Sequence, residues 1–164
     1  MTKGHCMKRC ITLIVVLLLA AGCEYRNPVG ATPAGTIQEE LLGLWRVIPP
    51  AGEPDRAEKL LVLPYDDHHY LLTYFSDDKD QSLFLRGYPV ELADRAFIQV
   101  QFLGTEHGAV KPEKRKYQLV SWSLENDRLE AHWLDTDRFP DRFLTAEEMR
   151  QDLMTALESD SPFE

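Results

Sequence analysis

The sequence predicts a mostly β protein, an antiparallel meander or barrel of about eight short strands with one carboxy-terminal α-helix. Short apolar runs rich in Val and aromatic residues recur along the chain, separated by breaks that contain Asp and Pro. No βαβ spacing lies between them. A short helical turn before the first strand is suggested by Ile37, Leu41, Leu42 and Leu44, and one clear apolar stripe of helical period lies near the end. These runs place strands near Leu44–Ile48, Lys59–Leu63, His69–Phe75, Ser82–Gly87, Pro89–Leu92, Ala96–Leu103, Lys116–Leu124 and Arg128–Asp135.

The last two predicted strands form a hairpin whose register follows from the sequence. With Asn126-Asp127 as a two-residue turn, every side-chain pair on one face is apolar. A shift of one residue would mix the two faces, so the pattern fixes the register. The pairs are Leu124 with Leu129, Trp122 with Ala131 and Val120 with Trp133 on the apolar face, and Ser123 with Glu130 and Ser121 with His132 on the other. We expect Trp122 and Trp133 both to be buried.

The strand before this hairpin alternates in the same way. Ile98, Val100 and Phe102 occupy one side, and Gln99 and Gln101 occupy the other. This alternation predicts one apolar face and one polar face.

One helix closes the predicted domain. Thr145 and Glu148 have the spacing of a capping box, and Leu144 can contact Met149 as a hydrophobic staple. The apolar stripe consists of Met149, Leu153, Ala156 and Leu157. We expect this stripe to pack on the outside of the sheet, and the tail Ser159–Glu164 to fray.

The amino-terminal stretch Met1–Gly22 has the pattern of a secretory signal peptide. Basic residues precede the apolar run Ile11–Ala21, and small residues follow it. Eleven helical residues extend about 16 Å, which is too short for a hydrocarbon core of about 30 Å. The sequence therefore predicts a cleaved signal rather than a membrane span.

The end of this signal resembles the lipobox of bacterial lipoproteins, carried by Leu19, Ala20, Ala21, Gly22 and Cys23. The resemblance implies cleavage before Cys23 and attachment of two or three acyl chains, palmitate among them. Two or more chains hold a protein stably at a membrane. Cys6 and Cys10 would leave with the signal, so the mature chain could form no internal disulfide. In such families Asp after the cysteine favours inner-membrane retention. Because Glu24 stands there, the resemblance implies a lipid-anchored outer-membrane protein if the source is Gram-negative.

The charge of the mature chain argues against nucleic acid as a partner. The full chain of 164 residues has 18 basic and 27 acidic residues, and three of the basic ones lie within residues 1–22. The mature chain would carry a net charge of −12. This excess repels phosphate and anionic lipid, so we expect no binding through a basic surface.

The mature chain divides into a linker and one domain. Residues 23–36 contain the lipidated cysteine and a stretch rich in Pro and Gly, which predicts a flexible linker with a span of roughly 20 Å. Residues 37–158 form the predicted β-barrel-like domain with its carboxy-terminal helix, and residues 159–164 form the tail.

The best metal-ligating candidates are Asp66, His68 and His69. Imidazole and carboxylate ligands suit zinc or copper. Neighbouring residues of a strand face opposite sides, however, so the two histidines cannot bind one ion unless the backbone turns. We expect an Asp-rich turn that leads into a strand, with no metal and no cofactor.

Three other polar stretches are better explained as connections than as sites. Asp77, Asp78 and Asp80 lack the Gly and the distal Glu of an EF-hand, which predicts a solvated hairpin turn. Residues 135–142 mix acidic and basic side chains before the helix, which predicts a connector. His107 follows Glu106 in a Gly-flanked loop that could hold a catalytic group, yet no nucleophile motif accompanies it.

The start of the domain, Gly43-Leu44-Trp45, is similar to the signature of lipocalins, in which the Trp closes one end of the barrel. Some bacterial lipocalins are also outer-membrane lipoproteins. The resemblance implies a carrier of a small apolar ligand.

Three function classes follow. The first, which we favour, is a lipid-anchored envelope module that binds a protein or polymer and is not an enzyme. The second is the lipocalin-like carrier, and the third is a periplasmic enzyme. Many large aromatic side chains must fit into a domain of this length, so we expect a filled core, with binding at the outer surface or at the loops 66–69 and 77–80.

Overall fold

The structure is a computed structural model and describes residues 25–48, 57–76, 82–134 and 145–159. It confirms a mostly β fold in which eight antiparallel strands form a curled half-barrel, followed by one helix. The strands are β1 (Gly43–Arg46), β2 (Lys59–Pro64), β3 (Tyr70–Phe75), β4 (Ser82–Leu92), β5 (Arg95–Thr105), β6 (Gly108–Ala109), β7 (Tyr117–Glu125) and β8 (Arg128–Trp133). The helix α1 is Ala146–Ser159, and short 3-10 turns occur at Glu39–Leu41 and Pro112–Lys114.

The sheet is a meander in which neighbours along the chain are neighbours in space. The strand order is β1-β2-β3-β4-β5-β7-β8, and the two-residue β6, which the sequence did not predict, pairs with β5. Trp45 of β1 and Leu129 of β8 pack against one cluster formed by Leu41, Val62 and Tyr70. The two end strands can contact one cluster because the sheet is curled. The cluster therefore lies on the concave, inner face of the sheet.

Helix α1 covers the outer face. Met149, Leu153 and Leu157 are buried against outer-face residues that include Leu92 and Leu119. The predicted packing of the apolar stripe is therefore confirmed. The capping box is also present, since the Glu148 N–H donates to Thr145 Oγ1 at 3.2 Å and the Thr145 N–H donates to Glu148 Oε2 at 3.1 Å.

Two predicted strands, Ser82–Gly87 and Pro89–Leu92, are one continuous strand, β4. The separation at Pro89 was wrong for a geometric reason. The Pro89 carbonyl accepts from Ala34 N–H at 2.8 Å and so points away from β5, and the proline nitrogen points the same way. Strand β3 pairs with β4 only as far as Gly87. No β3 carbonyl therefore lies opposite Pro89, and its missing N–H costs the sheet no hydrogen bond.

The last hairpin has the predicted register, from Val120 opposite Trp133 to Leu124 opposite Leu129. Asn126 and Asp127 have φ values of 50° and 59°, as a type I′ turn requires. The expected burial of Trp133 is wrong, because its side chain is 45 % exposed. Trp133 lies on the end strand β8, where no further described strand covers it.

Strand β5 is buried on both faces rather than on one. Gln99 is fully buried and Gln101 is nearly so, although the alternation predicted that they would form a polar face. An additional segment described below covers Gln99 on the outer face, and Arg86 of β4 donates from Nη2 to Gln101 Oε1 at 3.0 Å.

Several predictions fall outside the described residues. They are the signal peptide with Leu19–Gly22, Cys23 itself, the turn at 77–80, the connector 135–142, Leu144 and the tail 160–164. Within the described parts of the chain, the one α-helix is too short and too polar to cross a membrane.

Candidate functional site

The most distinctive feature of the structure is the path of residues 25–37, here called the amino-terminal segment. Tyr25 and Tyr117 exchange two backbone hydrogen bonds of 2.8 Å each, which adds Tyr25 to strand β7. Tyr25 and Val29 are buried in the outer-face core. The prediction of a flexible linker is therefore wrong for the described residues of this stretch. The segment is fixed by hydrogen bonds and by two apolar side chains, despite its Pro- and Gly-rich composition.

Two buried polar side chains of the sheet hold the middle of the segment. Gln99 Oε1 accepts from the Val29 N–H at 2.8 Å, while Gln99 Nε2 donates to the Gln118 carbonyl at 2.7 Å. The Tyr88 hydroxyl donates to the Gly30 carbonyl at 2.7 Å. Burial raises the pKa of Tyr88 to about 12, so this donor keeps its proton at neutral pH. The side-chain oxygen and nitrogen of Gln99 and the hydroxyl of Tyr88 thus all have hydrogen-bond partners in a buried environment.

Gly30 allows the segment to approach the sheet closely. A Cβ placed on Gly30 would lie 2.8 Å from Val90 Cγ1, which is closer than carbon atoms pack. Gly35, five residues later, has open space around the same position. The absence of a side chain at Gly30 is therefore what lets the backbone lie against β4.

The candidate metal ligands form a turn that is organised by Asp66. Asp66 Oδ1 accepts from the backbone N–H groups of His68 and His69, each at 2.8 Å, and from His69 Nδ1 at 2.8 Å. The hydrogen bond from the His68 N–H, followed by the one from the His69 ring, holds the pKa of Asp66 below its ordinary value of 3.8. The backbone does turn here, but the Asp66 carboxylate accepts hydrogen bonds from the residues of the turn.

This turn contacts the amino-terminal segment. His68 Nδ1 donates to the Gly35 carbonyl at 2.9 Å, and the Ile37 N–H donates to the Asp67 carbonyl at 3.0 Å. The His69 ring packs edge-on against Tyr88, with centroids 5.6 Å apart. The structure therefore brings Asp66, His68 and His69 together as supports of the segment. In the described ranges, no three His, Cys, Asp or Glu side chains are grouped as a metal site would require.

The loop that contains His107 is also held by structural contacts. Glu106 Oε2 accepts from the Ser82 N–H, with a distance of 2.6 Å, and His107 Nε2 lies 3.6 Å from Glu106 Oε1. The His107 side chain is 70 % exposed. The pair connects β5 to the start of β4 and forms no enclosed site.

Trp45, the residue that carries the lipocalin resemblance, lies at the inner face near one end of the sheet. Its indole Nε1 donates to the Leu41 carbonyl at 2.9 Å, which ties β1 to the preceding 3-10 turn. Tyr70 closes the same region, since its hydroxyl accepts from the Gln38 N–H at 2.8 Å.

An open groove of about 650 Å³ runs along the outer face, between the amino-terminal segment and helix α1. Glu91, Asp94 and Arg150 line it together with Met154 and residues 29–34. Arg150 Nη2 donates to the Glu91 carbonyl at 3.3 Å. The groove is open and partly charged, and it lies outside the curl of the sheet, so it is not the enclosed apolar cavity of a carrier.

Sequence reasoning missed Gln99, Tyr88 and Tyr25, which fix the segment. Tyr25 and Val29 are the two large apolar residues among the twelve and show no periodicity, so residues 25–36 have no pattern of a strand or a helix. A Gln within a strongly apolar strand is the one signal that could have indicated a buried hydrogen-bond partner.

The chain matches no protein-family model, no curated protein and no solved structure.

Proposed function

We propose that this protein is a lipid-anchored lipoprotein of the cell envelope, a non-enzymatic module that binds an envelope protein or polymer. The proposal rests on the lipobox at residues 19–23, behind an apolar run too short to span a membrane. Glu24 after the cysteine favours the outer membrane in a Gram-negative cell.

The lipobox resemblance is the single observation that carries the proposal, and the attachment of the amino-terminal segment determines how close to the membrane the anchored domain would lie. Only Glu24 separates the proposed acylation site, Cys23, from Tyr25, which is hydrogen-bonded to β7. Two extended residues span at most about 7 Å. Acyl chains on Cys23 would therefore hold the folded domain directly at the membrane, rather than on a long tether.

The test is Cys23→Ala in the full chain, with Cys10→Ala as the matched control inside the signal. We expect Cys23→Ala to abolish acylation, seen as the loss of the acyl mass by mass spectrometry. The protein should then move from the membrane fraction to the soluble periplasmic fraction in high salt. Cys10→Ala should stay acylated and membrane-bound. A Cys23→Ala protein that remains with membranes in high salt would contradict the anchor.

A second candidate, a carrier of a small apolar ligand, is favoured by the inner face of the sheet. Several apolar side chains there, around the buried Leu41, Val62 and Tyr70, are only half-buried, whereas the outer-face core is fully buried. The half-buried ones include Trp45, Leu60, Leu72, Ile98, Trp122 and Leu129. Partly accessible apolar side chains on a concave surface are typical of ligand sites.

Native mass spectrometry of the protein purified from membranes distinguishes the two candidates. A bound apolar molecule that is lost in a Trp122→Ala variant supports the carrier. A protein free of ligand that co-purifies with an envelope protein or polymer supports the binding module.

A further inference from the structure

We propose that the basic segment Lys111–Lys116, with Arg26, contacts the anionic lipid headgroups of the leaflet that holds the Cys23 acyl chains. This contact would give the domain one orientation on the membrane. The inference rests on the proposed function, because it takes the acylated cysteine as the anchor. It also revises the expectation that an acidic chain has no basic surface for anionic lipid.

The first step is the position of this segment relative to the anchor. It ends immediately before Tyr117, the residue that exchanges both backbone hydrogen bonds with Tyr25. Cys23 precedes Tyr25 by two residues, so its Cα lies within about 7 Å of the Tyr25 Cα, whatever the path of Glu24. The start of β7 is therefore close to any membrane that the acyl chains enter.

The second step is the charge. Residues 111–116 contain four basic residues and one acid, Glu113, and so carry a net charge of +3 in a mature chain of −12. Residues 23–30, on either side of Tyr25, contain one further basic residue, Arg26, and one acid, Glu24. Basic charge is thus concentrated at the one place where the chain would meet the membrane. An acidic domain near an anionic leaflet is repelled everywhere else.

The third step is the geometry of the two outermost lysines. The Lys114 N–H donates to the Lys111 carbonyl at 2.8 Å, which closes the 3-10 turn at Pro112–Lys114. Lys111 is the N-cap residue of this turn and Lys114 is its last residue, so the turn keeps the two lysines close together in the chain. Both are exposed, while Arg115 packs back and donates from Nε to the Val110 carbonyl at 3.2 Å. The turn therefore leaves two lysine side chains accessible to the solvent.

Each basic residue near an anionic surface strengthens binding by about fivefold. The acyl chains and the basic segment would therefore act together. The acyl chains set the depth, and the lysines set which side of the domain faces the headgroups.

The experiment uses the acylated full-length mature protein in two vesicle types, pure phosphatidylcholine and a mixture of phosphatidylcholine with one-third phosphatidylglycerol. Flotation reports the acyl anchor, and hydrogen exchange of residues 111–117 reports contact with headgroups. We expect flotation with both types but slowed exchange only on the anionic vesicles. The slowing should disappear in about 1 M salt, where charge interactions extend only about 3 Å.

The variant Lys111→Glu/Lys114→Glu should lower the preference for this orientation by at least about 25-fold, judged from two basic residues at fivefold each. The matched control, Lys59→Glu/Arg95→Glu, has the same charge change on exposed side chains elsewhere. Arg95 begins β5, six residues or about 20 Å along the strand from Gln101, which pairs with Tyr117. The control should retain the slowed exchange.

Flotation with both vesicle types but equal exchange on both would overturn the basic contact and leave the anchor standing. Flotation with anionic vesicles alone would support the basic contact and overturn the anchor. Failure to float with either type would overturn both.

Discussion

The side-chain Oε1 of Gln99 accepts a 2.8 Å hydrogen bond from the backbone N–H of Val29, although the two residues are 70 positions apart in the chain. Gln99 is fully buried, and its Nε2 group donates to the Gln118 carbonyl. One side chain thus joins the amino-terminal segment, β5 and β7. An amide in such a place is stabilising only because all its partners are present.

Gln99→Leu should destabilise the domain by about 1–3 kcal/mol, because it removes the acceptor of the buried Val29 N–H. Urea unfolding followed by circular dichroism measures the change. Gln151→Leu, on the exposed side of helix α1, is the control and should change stability by less than about 0.5 kcal/mol. Equal stability of the two variants would show that Gln99 does not hold the segment.

Gly30→Ala should detach the amino-terminal segment, because the added Cβ would lie 2.8 Å from Val90 Cγ1. We expect faster proteolysis at Arg26 and a loss of about 1–3 kcal/mol from overpacking. Gly35→Ala meets open space and should keep the protease resistance of the parent protein. Limited trypsin digestion with mass readout compares the two, and identical digestion rates would refute the role of Gly30.

Trp133 and Leu153 should differ sharply in their contribution to stability. Leu153 is fully buried on the side of helix α1 that packs on the sheet, so Leu153→Ala should cost about 2–5 kcal/mol. Trp133 is 45 % exposed on the end strand, so Trp133→Ala should cost only about 1 kcal/mol. Urea denaturation curves of the two variants compare their losses of unfolding free energy. A larger loss for Trp133→Ala than for Leu153→Ala would contradict the prediction.

Asp66 should titrate below its ordinary pKa of 3.8, because the His68 N–H and the His69 ring donate to its carboxylate. Since folding lowers this pKa, the ionised Asp66 carboxylate stabilises the folded state fully above about pH 4. That stabilisation is lost as the pH falls through the pKa of Asp66 in the folded protein. Carboxyl chemical shifts measured by NMR give the titration directly. In His69→Phe the pKa should rise toward 3.8 while remaining below it, because the backbone donors are retained.

An Asp66 carboxyl that titrates at or above 3.8 in the parent protein would contradict this account of the turn. Asp66→Ala should also weaken the contacts that Gly35 and Ile37 make with the turn. That effect would appear as faster hydrogen exchange of the Ile37 N–H, which donates to Asp67.

Local patterns along the chain determined the β meander, the helix on its outer face and the register of the last hairpin. The register was predictable because Asn126-Asp127 is a two-residue turn between strands whose apolar residues alternate, and the side-chain period of a strand permits only one pairing. The capping box at Thr145 and Glu148 was predictable for a similar reason, since all its partners lie within one turn of helix.

Tertiary structure alone decided which residues are covered. Pro89 continues a strand because its nitrogen faces a side that β3 has already left, and Trp133 is exposed because it lies on the last strand of the sheet. Residues 25–36 look like a linker by composition, yet they are fixed by partners at Tyr88, Gln99 and Tyr117. Local sequence cannot show such partners, because a hydrogen bond between residues this far apart exists only after the sheet has formed.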